Sequence, residues 1–175
     1  MKLSLIVAAL LALSAPLFAG EKHAHHAAAA AQCKDFDLIK SLAGDWKGTA
    51  LMEGKTEEIK TSFHVSSMGS AVVETMAAGT PNEMTNVYHV VGGKLTMTHY
   101  CAMGNAPLLT TTKSDAKSVT MEAVAANGID PKKTPHMHAV TFTMADKDHL
   151  TASWRASNMG AEDEKPSVFN YERVN

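Results

Sequence analysis

Residues 84–101 read MTNVYHVVGGKLTMTHYC, two stretches of alternating polar and apolar side chains on either side of Gly92-Gly93. Side chains that alternate in this way face opposite sides of a β-strand. A Gly-Gly pair between two such stretches is typical of a tight hairpin. The segment therefore predicts two antiparallel strands, 84–91 and 94–101, joined by a short turn.

The same pattern continues in both directions from this hairpin. Turn-forming groups such as Asn127-Gly128 and Asn158-Met159-Gly160 separate short β-type runs at near-regular intervals. About ten strands joined in order predict an all-β fold, an antiparallel up-and-down (meander) barrel, because closure removes exposed sheet edges. A two-sheet sandwich is the alternative. The predicted strands are 46–52, 57–66, 71–77, 84–91, 94–101, 107–113, 117–125, 136–145, 149–157 and 166–174.

The first residues have the features of a secretory signal. Lys2 precedes an uncharged apolar stretch from Leu3 to Leu13, and Ala19 offers a small residue at a cleavage site. We therefore predict a signal peptide at 1–19 and an exported protein, periplasmic or secreted. The apolar stretch is short for a membrane span of about 20 residues, so no integral span is expected after cleavage.

Two segments of different composition lie between the predicted signal and the first predicted strand. Residues 20–32, GEKHAHHAAAAAQ, have no core-forming pattern and predict a flexible His/Ala-rich linker. A short helix is expected between Asp35, as its cap, and Gly44, which ends it. The barrel domain is assigned to 33–175.

Charge and cysteine content narrow the classes of partner. The chain has 16 basic and 18 acidic residues, and Lys2 is the sole charge in the signal, so the remainder carries a net charge of −3 with His neutral. This balance predicts no nucleic-acid partner. Cys33 and Cys101 form a disulfide in one interpretation, since an exported protein meets an oxidising compartment. In the other, Cys101 is free and faces the barrel interior.

Strand alternation also predicts which side chains line the interior. The chain has 11 Met and 9 His residues. Flexible Met side chains adapt to irregular apolar ligands, although they also serve as ordinary core residues. Buried imidazoles need a hydrogen-bonding partner for each ring nitrogen, which a ligand can supply. We predict a small apolar or amphipathic ligand in a His-containing cavity. The predicted ligand-binding residues are Met97, His99, Cys101, His136, His138, Phe142 and Trp154.

Other functions use the same residues. His99, His136 and His138 suggest a metal or haem protein if their rings converge. A structural envelope protein without ligand is a further alternative. His99 and Cys101 are spaced to share a strand face as a thiol–imidazole pair, but no third orienting group accompanies them. The sequence therefore does not predict an enzyme.

Two motifs resemble known families. Gly44-Asp45-Trp46-Lys47-Gly48 resembles the Gly-x-Trp opening of lipocalin-type barrels and the Gly-x-Trp-x-Gly start of nitrobindin-like and fatty-acid-binding-like relatives. This resemblance implies that Trp46 plugs one end of the barrel and that Arg173, on the last predicted strand, packs over its ring. Gly44, Trp46 and Arg173 are thus the expected barrel-closing residues.

The second resemblance covers most of 36–174. The motif Tyr88-His89, followed by His99-Tyr100-Cys101 and Gly104-Asn105-Ala106-Pro107, resembles an uncharacterised family of bacterial exported lipocalin-like proteins. That family has Gln and Arg where this chain has Ala106 and Leu108. The resemblance implies a lipocalin-like fold and carries no known reaction.

Overall fold

The computed structural model describes residues 33–52, 55–163 and 165–174. The predicted signal peptide at 1–19 and the predicted linker at 20–32 lie outside the described residues.

One short helix precedes the strands. Helix α1 spans Lys34–Ser41 and buries Phe36 and Ile39 against the barrel. Its N-cap is Cys33, which makes no side-chain capping bond. The predicted cap, Asp35, lies instead in the first helical turn, where its negative charge is favourable at the positive end of the helix dipole.

The strands follow the predicted order, and their ends differ from the prediction by at most two residues. The long strands are β1 (Gly44–Met52), β2 (Lys55–Ser66), β3 (Ala71–Met76), β4 (Met84–Val91), β5 (Lys94–Tyr100), β6 (Leu108–Ser114), β7 (Ser118–Val124), β8 (His136–Met144), β9 (His149–Asn158) and β11 (Ser167–Arg173). A two-residue strand, β10 (Ala161–Glu162), was not predicted.

These strands form a closed antiparallel barrel, as predicted. Each strand from β1 to β8 pairs with the strand that follows it along the chain, so the series runs without interruption from β1 to β9. The ring closes where β9 pairs with β11 and β11 pairs with β1. The short β10 pairs with the end of β9, next to β11.

Side chains fill the barrel. Met97, Phe142 and Trp154 point inward and expose 0, 1 and 2% of their surfaces. An interior lined by such buried side chains leaves no room for a ligand of many atoms unless side chains move. Other inward residues in contact with them include Phe63, Val72, Met76, Tyr88, Leu95, Leu109, Val119, Met121, Val140, Leu150 and Tyr171.

The barrel is closed at the helix end by the predicted residues. The Trp46 indole N–H donates to the Leu42 carbonyl over 2.7 Å, and the Arg173 guanidinium lies 4.2 Å from the Trp46 ring centroid. Arg173 also donates to the carbonyl oxygens of Ala43 and Ser41, which follow and end α1. These bonds join the helix, β1 and β11 at one point. Gly44 adopts a φ of +119° at the start of β1, a conformation that favours glycine.

The junction between β1 and β11 also depends on a second glycine. A Cβ atom at Gly48 would lie 1.8 Å from the carbonyl oxygen of Asn170. The absence of a side chain therefore allows the two strands to approach closely at this position.

Candidate functional site

A buried carboxylate organises the polar part of the barrel interior. Glu74, on β3, accepts hydrogen bonds from Thr61 Oγ1 (2.8 Å), Asn86 Nδ2 (2.7 Å) and Tyr88 Oη (2.5 Å). The Glu74 side chain is 2% exposed. Burial raises the pKa of this carboxyl, and the three hydrogen bonds counteract the rise.

The same network orients His99. Because Asn86 donates its amide group to Glu74, its Oδ1 atom faces His99 and accepts from Nδ1 over 2.6 Å. The proton is thereby assigned to Nδ1, and Nε2 carries a lone pair in the neutral ring. Burial lowers the pKa of His99 to about 4, so the ring is neutral at neutral pH.

His99 lies against Trp154. The two ring centroids are 4.7 Å apart with the planes tilted by 39°. Both residues are almost completely buried, yet His99 Nε2 and Trp154 Nε1 have no hydrogen-bonding partner among the described residues. A buried polar atom without a partner costs about 1–3 kcal/mol. The interior thus contains an acceptor and a donor on two rings in contact.

A third interior group has the same property. The hydroxyl of Tyr171, on β11, is buried and has no partner within the part of the chain that the structure describes. Burial raises the pKa of Tyr171, and the negative charge of Glu74 adds to the rise. Tyr171 therefore lies within the electrostatic reach of the Glu74 network.

His138, one of the two predicted inward histidines of β8, does not continue the inward face of that strand. The pairing of β8 with β9 is irregular between Met137 and Ala139, so His138 is an extra, unpaired residue. Such a bulge reverses the inward and outward alternation beyond it. Val140 and Phe142 face inward on one side of the bulge and Met137 packs against the core on the other, while His136, paired with Ser157, is 0% exposed. The bulge therefore interrupts the alternation that predicted an inward His138, whereas His136 is completely buried.

The imidazoles of buried His136 and partly buried His138 form a chain of contacts that reaches β10. His136 Nδ1 donates to the Thr134 carbonyl over 2.7 Å, and His136 Nε2 lies 3.3 Å from His138 Nδ1. His138 Nε2 in turn lies 3.3 Å from a carboxylate oxygen of Glu162, on β10. The cluster links the bulge in β8 to the short β10.

The predicted three-histidine metal or haem site is consequently not assembled. His99 contacts Asn86 and Trp154, whereas His136 and His138 contact each other and, through His138, Glu162. Across the described ranges, no group of three or more His, Cys, Asp or Glu side chains has an arrangement that suits a metal ion.

Cys101 is also outside the interior. It follows the end of β5, is half-buried and lines a cleft of about 640 Å³ at the end of the barrel opposite α1. Burial raises the pKa of its thiol, which disfavours the reactive thiolate. Because β5 ends at Tyr100, the alternation that was expected to place Cys101 on the face of His99 does not extend to Cys101.

The predicted disulfide is absent. Cys33 and Cys101 are both free thiols. Cys33 begins α1 at one end of the barrel, and Cys101 lies at the other, beyond the length of β5. Six strand residues span about 20 Å, whereas bonded cysteines have Cα atoms within about 7 Å.

The polar network was not identified from the sequence. Strand 71–77 is predicted, and its alternation places Glu74 on the same face as Val72 and Met76. An acidic residue between two apolar residues on the inward face, here Glu74 between Val72 and Met76, is the sequence pattern from which the site could have been predicted. Asn86 and Tyr88 follow by the same rule in β4.

Comparisons with known proteins give a fold neighbour and no family. No family model matches the chain, and no curated protein matches it. Among solved structures, it is similar to a protein of unknown function from the DUF3598 family of Nostoc punctiforme, with a TM-score of 0.51 and 14% identity. The match covers 78% of this chain and 49% of that protein, so the chain spans about half the neighbour's length. At this identity the likeness concerns the fold, which is compatible with ligand binding.

No helix within the described ranges is long and apolar enough to cross a bilayer.

Proposed function

We propose that this chain is an exported barrel that binds a small amphipathic molecule in its interior, at His99 and Trp154. The observation that carries the proposal is the pair of unpartnered atoms, His99 Nε2 and Trp154 Nε1, on contacting buried rings. Buried polar atoms in native proteins are nearly always paired with protein, water or ligand. A ligand that bonds both atoms would remove the cost of burying them.

The orientation of His99 supports this role. His99 Nδ1 donates to Asn86 and Asn86 donates to Glu74, and these two bonds hold the ring with Nε2 directed away from the network. A ring held before binding loses little rotational freedom when the ligand arrives, which favours affinity.

Buried methionines offer a means of making space. Met76, Met97 and Met121 are inward and 0–2% exposed. Unbranched Met side chains change rotamer at low cost, so they can yield to a ligand that the filled interior does not accommodate as it stands. The proposal therefore requires a small ligand, local movement, or both.

The filled interior also favours a second candidate, a structural envelope protein without ligand. Well-packed side chains need no ligand to complete the core. In this case a buried water would satisfy His99 and Trp154.

Mass spectrometry of protein purified from its native compartment separates the two candidates. The mass under native conditions is compared with the mass after denaturation. We expect an additional mass that denaturation releases and that a Trp154→Phe variant, which keeps the ring contact but lacks the N–H, does not carry. His64→Gln, at an exposed position on β2, is the matched control and should retain the mass. Identical native and denatured masses would favour the structural role.

A further inference from the structure

The hydrogen-bonding capacity of the interior restricts the ligand class. His99 offers an acceptor at Nε2, because Asn86 Oδ1 already holds the Nδ1 proton. The Trp154 indole offers a donor and cannot accept. A ligand that satisfies both atoms must therefore carry a hydrogen-bond donor and an acceptor close together, on one atom as in a hydroxyl or on neighbouring atoms as in an amide.

The charges of the interior restrict it further. No Lys or Arg belongs to the buried residues of the described part, so an anionic ligand would have no counter-charge. Glu74 would also repel an anion: burial raises the pKa values of Tyr88 and Tyr171, and the charge of Glu74 adds to both shifts. Transfer of an unpaired ion into such surroundings is costly.

A cation is disfavoured for a different reason. The two Glu74 oxygens already accept three hydrogen bonds from Thr61, Asn86 and Tyr88. The hydrogen of the Trp154 N–H carries a partial positive charge and would repel a cation. His99 Nε2 would be the one acceptor left to replace the water molecules that the cation loses on burial. The site therefore suits a molecule without net charge.

We propose that the interior ligand is a neutral molecule of a few heavy atoms with adjacent donor and acceptor groups, of the amide or hydroxyl class. This inference rests on the proposed function and names the chemistry of the same site. The near-complete burial of the surrounding Met97 and Phe142 side chains sets the small size.

The two tryptophans of the chain make the inference directly testable. In a ¹⁵N-labelled sample, each indole N–H gives one NMR signal. The N–H of Trp154 is unpartnered, whereas that of Trp46 is bonded to the Leu42 carbonyl and serves as an internal control. Trp154→Phe assigns the two signals, because one of them disappears.

Three probes of nearly equal size and shape separate charge from fit: acetamide, acetate and acetamidinium. We expect acetamide to shift the Trp154 signal progressively, without moving the Trp46 signal, at the weak affinity typical of so small a ligand. Acetate and acetamidinium should leave the Trp154 signal in place. His99→Phe, which keeps an aromatic ring but removes the acceptor, should abolish the acetamide response, and its Trp46 signal reports whether the variant is folded.

The outcomes distinguish this inference from the proposed function. A Trp154 shift with acetate or acetamidinium and none with acetamide would overturn the neutral class but leave ligand binding in place. If none of the three probes shifts the Trp154 signal, the neutral class is wrong. The proposed function is then wrong as well if native and denatured masses are identical, and it stands if an additional mass is found.

Discussion

His99 and His138 have the same position in the alternating pattern of their strands, but they lie on opposite sides of the barrel wall. His99 belongs to β5, which pairs with β4 without interruption from Lys94 to Tyr100, and its ring is buried beside Trp154. His138 is the bulged residue of β8 and contacts Glu162 outside. The comparison shows that alternation predicts the facing of a side chain as long as the strand ladder is continuous.

The largest effect is expected when the uninterrupted strand loses one residue. Deletion of Thr98 would turn His99 outward and bring Tyr100, which is 53% exposed, into the core. Because the inner network and the packing at Trp154 would both be lost, we expect destabilisation by at least about 4 kcal/mol and failure to fold. Circular dichroism and thermal unfolding test this. A variant with wild-type stability would mean that His99 does not need its inward position.

Removal of the buried carboxylate comes next. Glu74→Ala should lower the free energy of unfolding by about 3 kcal/mol, because the donors on Thr61, Asn86 and Tyr88 lose their acceptor. Glu162→Ala, on the outer wall, should cost less than about 1 kcal/mol, since this carboxylate is half-exposed. Urea denaturation at neutral pH measures both.

Glu74→Gln is the matched control for charge. The Gln oxygen can accept from Asn86 and Tyr88, and its amide can donate to Thr61 Oγ1, whose hydroxyl can turn to the Thr75 carbonyl. We expect stability equal to or above that of the wild type, because a buried charge is removed without loss of hydrogen bonds. A loss as large as that of Glu74→Ala would show that the interior requires the negative charge.

An intermediate effect is expected from pH. The pKa of His99 is lowered to about 4 in the folded state from an ordinary value of 6.5, so the unfolded chain binds the proton more readily between these values. The stability contributed by neutral His99 is present above pH 6.5 and falls as the pH decreases towards 4. Between pH 7.5 and pH 5 the loss should be about 2 kcal/mol.

Comparison with a variant isolates this contribution. Glu74, with its raised pKa, acts in the opposite direction, because the folded state takes up its proton at a higher pH than the unfolded chain does. His99→Gln should therefore lose about 2 kcal/mol less than the wild type over the same pH interval, while His64→Gln should behave like the wild type. Equal pH dependence in all three proteins would contradict a buried neutral His99.

The smallest effect is expected from deletion of the bulged residue. Without His138, Met137 and Ala139 become neighbours and keep their pairing with Ala156 and Arg155. We expect a folded barrel that is about 1–2 kcal/mol less stable, because His136 loses one hydrogen-bonding partner. If this deletion destabilised the protein as severely as deletion of Thr98, His138 would be a required residue of β8 and not an extra one. Thermal unfolding of the two deletion variants, side by side, provides the measurement.

The order of the strands could be predicted because each long strand has its own alternating pattern and is bounded by turn-forming residues. Residues 84–91 were predicted with the ends that the structure has, since Gly92-Gly93 marks the turn and alternation marks the strand. The two-residue β10 could not be predicted, because alternation needs more than two residues. The bulge at His138 has no compositional signal, since the extra residue is detected only against its partner strand.

The candidate site could be predicted only in part. Met97, His99, Phe142 and Trp154 are inward, where alternation places them. Whether the interior is open or filled depends on how side chains from all the strands meet, which no single strand reveals. The free Cys33 and Cys101 are a further example, because their separation depends on which end of the barrel the helix covers.

The junction of β1 and β11 has a consequence for how the chain reaches its native state. Arg173 and its acceptor on Ala43 are 130 residues apart, whereas most neighbouring strands are joined by short turns. Contacts between distant parts of a chain form slowly, so we expect closure of this junction to be the late step of folding. Until then the molecule is a curled sheet with two unpaired edges, which are open to association with other chains. Trimming of the final strand would prolong that state and promote aggregation.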